Sequence, residues 1–208
     1  MTPDWPSNPF STRFLSPGQL CFIGWDDQTL DGLAEKLIQQ NGNGQIVGPH
    51  GTGKTTLTFE LQKRIDRLND TNTNYRFLRK TIGPRQTIRI GKQQVAEFKL
   101  HSKTILVLDG IELLSWLQRL ALVKTCQRKR IGLLVTSHRL VWGLPALAST
   151  KPDRSQLEAI VNQLTRDCDF KISTNRLNEL YTNNNGNIRE ALMSCYDEFE
   201  ASRAKTDC

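Results

Sequence analysis

The segment from Gly48 to Thr55 has the residue types and spacing that suit binding of a nucleotide's phosphates. Its sequence, GPHGTGKT, places three glycines ahead of a lysine and a threonine. Glycines allow positive φ and bring N–H groups close to phosphate oxygens. Lys54 supplies a positive charge and the Thr55 hydroxyl can ligate Mg²⁺. We therefore predict an ATP and Mg²⁺ site. Its predicted nucleotide contacts are Gly48, Pro49, His50, Gly51, Thr52, Gly53, Lys54, Thr55 and Thr56.

A second chemical element follows the apolar run ILVL, which ends in Asp109. A carboxylate at the end of a buried strand can hold Mg²⁺ through water, so Asp109 joins Thr55 as a predicted metal ligand. The alternative is that Asp109 merely ends the strand or caps the next helix. Many P-loop hydrolases place a catalytic Glu directly after this Asp, and Gly110 stands there instead. Glu112 is then the candidate base, unless it is only a first-turn acid favoured by the helix dipole.

Three further positions are candidates for contact with the nucleotide. Ser137, together with its neighbours Thr136 and His138, follows the next apolar run and could contact the γ-phosphate, or could simply end a strand. Arg189 opens the last helix and could chelate phosphate oxygens with its fork of donors, or could be a surface arginine. Ile23 lies in FIGW ahead of the first helix and could cover the adenine. The alternative there is a hydrophobic staple.

The elements that must position these residues alternate between strands and helices, which predicts an α/β fold with a parallel sheet. Near-continuous apolar runs indicate strands buried on both faces, and apolar residues three and four apart indicate helices. The predicted strands are 45–47, 75–78, 88–90, 104–108 and 131–135. The predicted helices are 27–40, 54–68, 95–100, 111–129, 155–165, 175–181 and 188–201. The predicted domains are an extended arm at 1–20, a nucleotide-binding α/β domain at 21–149 and a helical domain at 150–208.

Charge and composition limit the classes of protein to which this chain can belong. The 208 residues carry a formal net charge of +7, and residues 61–139 hold 17 Lys and Arg against 5 Asp and Glu. Such a segment indicates either an anionic partner or a solvated basic surface beside a phosphate site. No apolar run approaches the roughly 20 residues that span a bilayer. The N-terminus lacks the pattern of a signal peptide, and the five cysteines show no CxxC spacing. We therefore expect a cytoplasmic protein with no membrane partner and reduced thiols.

Taken in order, these segments resemble an AAA+ ATPase of the initiator (origin-recognition) clade and the related STAND ATPases. FIGWDDQTLDGLAEKL resembles the segment that precedes the phosphate loop, and GPHGTGKT resembles Walker A. ILVLD resembles Walker B, LLVTSH the sensor 1 strand, and RLNELYTNNNGNIREAL the lid segment with its sensor 2 arginine, here Arg189. NPFSTRF and GQIVGPHGTGKTTL also resemble a group of small bacterial P-loop proteins, and that similarity brings no activity with it.

The AAA+ resemblance implies a P-loop NTPase fold: a three-layer αβα arrangement around a five-stranded parallel sheet, with a small C-terminal helical lid. It also implies Mg-ATP hydrolysis coupled to movement of the lid or of a partner. Gly110 departs from the pattern and predicts slow hydrolysis. No arginine finger is evident, and Arg130 and Arg139 are the candidates.

Three functions compete at this point. The first is an AAA+-like ATPase or ATP-binding switch that exchanges ATP and ADP and regulates a protein partner of unknown identity. The second is a nucleic-acid-associated ATPase that uses the basic segment 61–139 on phosphate backbones, which would make binding salt-dependent. The third is a small-molecule kinase, since many nucleotide kinases are P-loop proteins of this size.

Overall fold

The computed structural model describes residues 8–16, 22–68, 75–82 and 103–206, and the side chains within these ranges up to residue 204. The chain forms two compact units. The helical unit comprises Met1–Gly24, Pro49–Thr56 and Lys151–Cys208. The sheet unit comprises Trp25–Gly48 and Leu57–Thr150. The predicted strand at 88–90 and the predicted helix at 95–100 lie outside the described residues.

The sheet unit is built on five parallel strands in the order β2-β3-β4-β1-β5. This arrangement confirms the predicted fold class. Strands β3 and β4, both interior to the sheet, are buried along almost their whole length, as their apolar sequences TILVLD and GLLVTS predict. The strands are β1 (Gly44–Val47), β2 (Arg76–Thr81), β3 (Thr104–Asp109), β4 (Gly132–Ser137) and β5 (Ala146–Ser149).

Three helices and one short 3₁₀ turn accompany the sheet within the described residues. They are α1 (Asp27–Gln39), α2 (Lys54–Leu68), the turn Ile111–Leu113 and α3 (Trp116–Arg128). The single helix predicted for 111–129 is interrupted, because Ser115 starts α3 anew with a capping box. The Ser115 hydroxyl accepts from the Gln118 N–H, and the Gln118 side chain accepts from the Ser115 N–H. Each bond satisfies a donor that a helix start leaves open.

Strand β5 has no counterpart among the predicted strands, the last of which is 131–135. Residues Ala146–Ser149 instead pair in parallel with β1. The loop that leads to β5 is held by Gln45, which is buried on β1. Its amide donates to the carbonyls of Val141 and Leu144, and its oxygen accepts from the Val141 N–H. A buried amide with all these bonds made is stabilising, whereas an unpaired one is costly.

The helical unit holds the three predicted C-terminal helices, α4 (Arg154–Leu164), α5 (Thr174–Asn183) and α6 (Ile188–Thr206). Asp153 and Ser173 cap the first two of them. Their apolar faces form one core. None of the helices in the described ranges combines the length and apolar character that a bilayer-spanning segment needs.

The predicted extended arm differs in the structure over residues 8–16, which form consecutive turns instead. Phe10 is fully buried in the core of the helical unit and meets Phe170 edge-on at 6.1 Å between ring centroids. Asn8 secures this segment, because its amide donates to Tyr196 O and Glu200 Oε1 while its oxygen accepts from the Phe10 N–H. Burial of one aromatic ring therefore outweighs the extended tendency of a proline-rich sequence.

Phe10→Ala should lower the free energy of unfolding by about 3 kcal/mol or more, because truncating a buried Phe loses transfer free energy and leaves a cavity. Urea unfolding followed by circular dichroism measures the loss. Thr12→Ala, an exposed position in the same segment, is the control and should change stability by less than about 0.5 kcal/mol. Equal stabilities for the two variants would mean that the segment does not contribute to the core.

Candidate functional site

The phosphate-binding loop lies between the end of β1 at Val47 and the start of α2 at Lys54, the strand–loop–helix context that its motif requires. Gly51 and Gly53 have φ of 71° and 79°, values that side chains rarely adopt. The Lys54 ammonium donates to the Pro49 carbonyl at 2.6 Å, and the Thr52 hydroxyl donates to the same oxygen at 2.9 Å. The lysine therefore folds back over its own loop.

Close packing explains the glycine at position 51. A Cβ on Gly51 would overlap the side-chain oxygen of Asn187 and lie 3.3 Å from the Arg189 backbone nitrogen. Asn187 caps α6, since its oxygen accepts from the N–H groups of Arg189 and Glu190. The N-terminus of α6 thus lies against the phosphate loop, and the Arg189 side chain is exposed there. Sequence reasoning missed Asn187, although an Asn ahead of a helix is a recognised capping signal.

Phe22 of the FIGW segment lies against the loop, and Ile23 stays a prediction for contact with the adenine. A Cβ on Gly53 would lie 3.1 Å from the Phe22 ring. Phe22 is buried, and Ile23 is half-buried. Both residues belong to the apolar segment that the sequence singled out.

Asp109 ends β3 and accepts a hydrogen bond from the Thr136 hydroxyl on β4. Asp109 and Thr136 are direct partners in the register of the two strands. Ser137 is also buried, but its hydroxyl donates to the Arg139 carbonyl at 2.6 Å. Of the three polar residues at this strand end, Thr136 therefore contacts the predicted metal ligand, and Ser137 braces its own loop.

Glu112 lies on the 3₁₀ turn that follows the left-handed Gly110 (φ 83°). Its Oε1 is 3.0 Å from His138 Nε2, and the other ring nitrogen of His138 is 3.0 Å from the Gly48 carbonyl. A cavity of about 310 Å³ adjoins the pair. Its lining residues are Glu112, Arg119, Ser137, His138, Arg139 and Val141. The structure thus brings together Glu112 and His138, two of the residues the sequence singled out.

Arg79, on β2 of the sheet unit, has a guanidinium whose pKa is lowered. Burial lowers the pKa of its guanidinium to about 10, against the opposing attraction of Asp109 and Asp66. The group donates to the Thr58 hydroxyl at 2.7 Å and stacks 3.7 Å from the centre of the Phe59 ring. These contacts fasten β2 to α2, so we assign Arg79 a structural role.

Within the described ranges, two buried cysteines and the spacing of metal-ligating side chains give little support for thiol chemistry or for a metal site made by the protein alone. Burial raises the pKa of Cys126 to about 11 and that of Cys195 to about 12, which keeps both thiols protonated near neutral pH. Within residues 8–16, 22–68, 75–82 and 103–206, no three His, Cys, Asp or Glu side chains cluster closely enough to hold a metal on their own. Thr55 and Asp109 stay the predicted Mg²⁺ ligands, a set that the nucleotide's phosphates would complete.

Known structures supply the fold comparison. No family model matches the sequence, and no curated protein matches it. The Aeropyrum pernix ORC1 protein, solved in complex with DNA, matches over 93% of this chain and 64% of its own, at 16% identity and a TM-score of 0.65. Drosophila ORC bound to DNA matches over 99% and 65%, at 17% identity and a TM-score of 0.61. The Thermotoga maritima RuvB Holliday junction branch migration motor matches over 81% and 60%, at 15% identity and 0.52.

These similarities confirm the predicted fold, which the chain shares with the ORC1 and RuvB structures. The chain spans less than two thirds of the length of each of these proteins. Identities below one fifth define the architecture alone, because one fold can serve many functions.

Gly51→Ala should destabilise the protein by more than about 1 kcal/mol, since the new Cβ meets Asn187 at a positive φ. Gly32→Ala is the matched control, because Gly32 lies in α1 with open space around its Cβ position. That change should stabilise the protein by about 0.4–1 kcal/mol. Urea unfolding of both variants measures the difference, and a neutral Gly51→Ala would contradict the close packing of loop and helix.

Proposed function

We propose that this protein is an AAA+-like ATPase that binds Mg-ATP at the phosphate loop, hydrolyses it slowly and thereby switches a protein partner. The observation that carries the proposal is the conformation of the loop itself. Two glycines have positive φ, and the Lys54 ammonium folds over the Pro49 carbonyl. Backbone N–H groups and an ammonium held together in this way favour a polyphosphate.

In this proposal Lys54 contacts the β- and γ-phosphates, and Thr55 and Asp109 hold Mg²⁺. Glu112 accepts a proton from the attacking water, and Arg189 contacts the γ-phosphate. Two observations support these roles. The N-terminus of α6, which carries Arg189, packs against Gly51 of the loop. Asp109 presents its carboxylate at the carboxyl end of β3, the edge at which open α/β sheets bind ligands.

Lys54→Ala should weaken ATP binding at least tenfold, about 1.4 kcal/mol, because it removes a charge that faces two phosphates. Isothermal titration with ATP in Mg²⁺ measures the affinity. Lys171→Ala, at an exposed lysine of the helical unit, is the control. A folded Lys54→Ala variant with unchanged affinity would falsify the site.

The same titration, repeated with and without metal, tests the Mg²⁺ ligand. Asp109→Asn keeps the side-chain shape and loses the charge, so ATP affinity should become much less dependent on Mg²⁺. Asp167→Asn removes an exposed carboxylate and is the control. If Asp109→Asn keeps the wild-type dependence on Mg²⁺, Asp109 is a structural residue.

Arg189→Ala should narrow the difference in affinity between ATP and ADP, because a γ-phosphate contact favours only the triphosphate.

A second candidate function, binding of a nucleic-acid backbone, is supported by a row of cations at the amino edge of the sheet. Arg76 is the first residue of β2 and lies beside Lys103, which precedes β3, with the Arg76 N–H donating to the Lys103 carbonyl. Arg128, Lys129 and Arg130 lead into β4, the next strand. All five are exposed. In the described part of the chain, no carboxylate forms an ion pair with Arg128, Lys129 or Arg130.

Replacing the three cations ahead of β4 tests this candidate. In the variant Arg128→Gln, Lys129→Gln, Arg130→Asn, the slope of log binding constant against log salt concentration for DNA should become shallower by roughly 2 to 3. Each phosphate that is no longer neutralised reduces the magnitude of that slope by about 0.9. Asn is chosen at 130 because that residue has φ 53°. Fluorescence anisotropy of a labelled duplex measures the slope.

The control removes equal charge from the helical unit by Lys151→Gln, Arg154→Gln and Arg166→Gln, which are all exposed. This control should keep the wild-type slope. If both triple variants have the same slope, the basic segment is a solvated surface and does not bind the nucleic-acid backbone.

A further inference from the structure

His138 joins two parts of the sheet unit that the sequence keeps far apart. One ring nitrogen, Nδ1, is 3.0 Å from the Gly48 carbonyl, and the other, Nε2, is 3.0 Å from Glu112 Oε1. Gly48 is itself fixed by the sheet, since its N–H donates to the Ser137 carbonyl at 3.1 Å. His138 therefore ties Glu112 to the residue that leads into the phosphate loop.

The chemistry of these contacts determines where the protons are. A carbonyl oxygen only accepts, so His138 Nδ1 carries a proton and donates it to Gly48. Nε2 faces a carboxylate, and one proton lies between the two groups. Either the imidazolium donates to an ionised Glu112, or a protonated Glu112 donates to a neutral ring. Oε1 of Glu112 is committed to this bond in both cases.

The other carboxylate oxygen is in a different situation. Glu112 Oε2 is buried and has no hydrogen-bond partner among the described residues. A buried oxygen left in this state is costly unless a water or ligand satisfies it. Glu112 lines the adjoining cavity of about 310 Å³, which has room for water. One oxygen is therefore held, and the other can accept a proton when Glu112 is ionised and His138 is the imidazolium.

We propose that His138 is a positioning residue for Glu112. It holds Oε1 so that Oε2 presents its lone pair to the water that attacks ATP, and this role rests on the proposed function above. The need for such a residue follows from Gly110. With glycine directly after Asp109, the nearest acid lies on a separate 3₁₀ turn, and a side chain there needs an external hydrogen bond to fix its orientation.

The step balances without another reactant. The water oxygen bonds to the γ-phosphorus, the bond from that phosphorus to the bridging oxygen breaks, and ADP leaves with the electron pair. The proton of the water passes to Glu112 Oε2 and is later released to solvent. His138 keeps its bond to Oε1 during the step and makes no contact with the nucleotide in this role.

Two substitutions separate the two contacts of His138. In His138→Gln, the side-chain amide nitrogen reaches the place of Nε2, so the bond to Glu112 is kept and the bond to Gly48 is removed. In His138→Asn, the amide nitrogen takes the place of Nδ1, so the bond to Gly48 is kept and the bond to Glu112 is removed. The two variants are close in size and polarity, which controls for general effects on folding.

Single-turnover hydrolysis of Mg-ATP by the full chain is the measurement, with ATP affinity and thermal midpoint determined for each variant. His138→Asn should lower the rate constant about 10-fold or more at unchanged ATP affinity, and His138→Gln should stay within a few-fold of wild type. Glu112→Gln should lower the rate about 10²-fold or more, the usual size of a general-base contribution. Adding His138→Asn to Glu112→Gln should cost nothing further, because the two residues act as a unit.

Several outcomes would overturn the inference. They are a wild-type rate in His138→Asn, equal losses in the Asn and Gln variants, or additive losses with Glu112→Gln. A protein that binds ATP but turns it over no faster than Lys54→Ala would also end it, while leaving nucleotide binding intact. A protein that binds no ATP would instead overturn the proposed function itself, so the two failures are distinguishable.

Discussion

The register among strands β1, β3 and β4 is the constraint on which the rest of the sheet unit depends. It aligns Asp109 with Thr136 and Val47 with Ser137, so that three segments far apart in sequence end at one edge of the sheet. Because side chains alternate between faces, a slip of one residue would turn Asp109 and Thr136 away from each other. Such a slip is costly because the side chains of β3 and β4 are buried and close-packed, and each would have to fit the space of a different neighbour.

From that edge, the loops are shaped by a few polar contacts. Gly110 turns the chain after Asp109 and places Glu112 on a separate turn. Gln45 fixes the loop after β4. His138 bonds to both Gly48 and Glu112. Each contact satisfies a polar group that the fold takes out of water, so the requirement that buried polar groups be paired also arranges the candidate catalytic residues.

The helical unit depends on a different constraint, which is the close approach of neighbouring segments to the backbone of the phosphate loop. Positive φ at Gly51 and Gly53 shapes the phosphate loop, and the absence of side chains at these positions lets Asn187 and Phe22 lie against it. The capping residue of α6 thus has two roles. Asn187 satisfies the N–H groups that open the helix and also contacts the loop in which phosphates are proposed to bind.

Several features of the structure follow from local patterns in the amino-acid sequence. The phosphate loop, the apolar strands β3 and β4 and the three C-terminal helices could be predicted, because motif spacing and periodicity act within one stretch of chain. Tertiary structure decided which of Thr136, Ser137 and His138 meets which carboxylate, that Phe22 contacts the loop, and that Phe10 enters a core. It also decided that ALAS, with only four residues, becomes β5. Such outcomes depend on strand register and on burial against partners distant in sequence, and no local pattern specifies either.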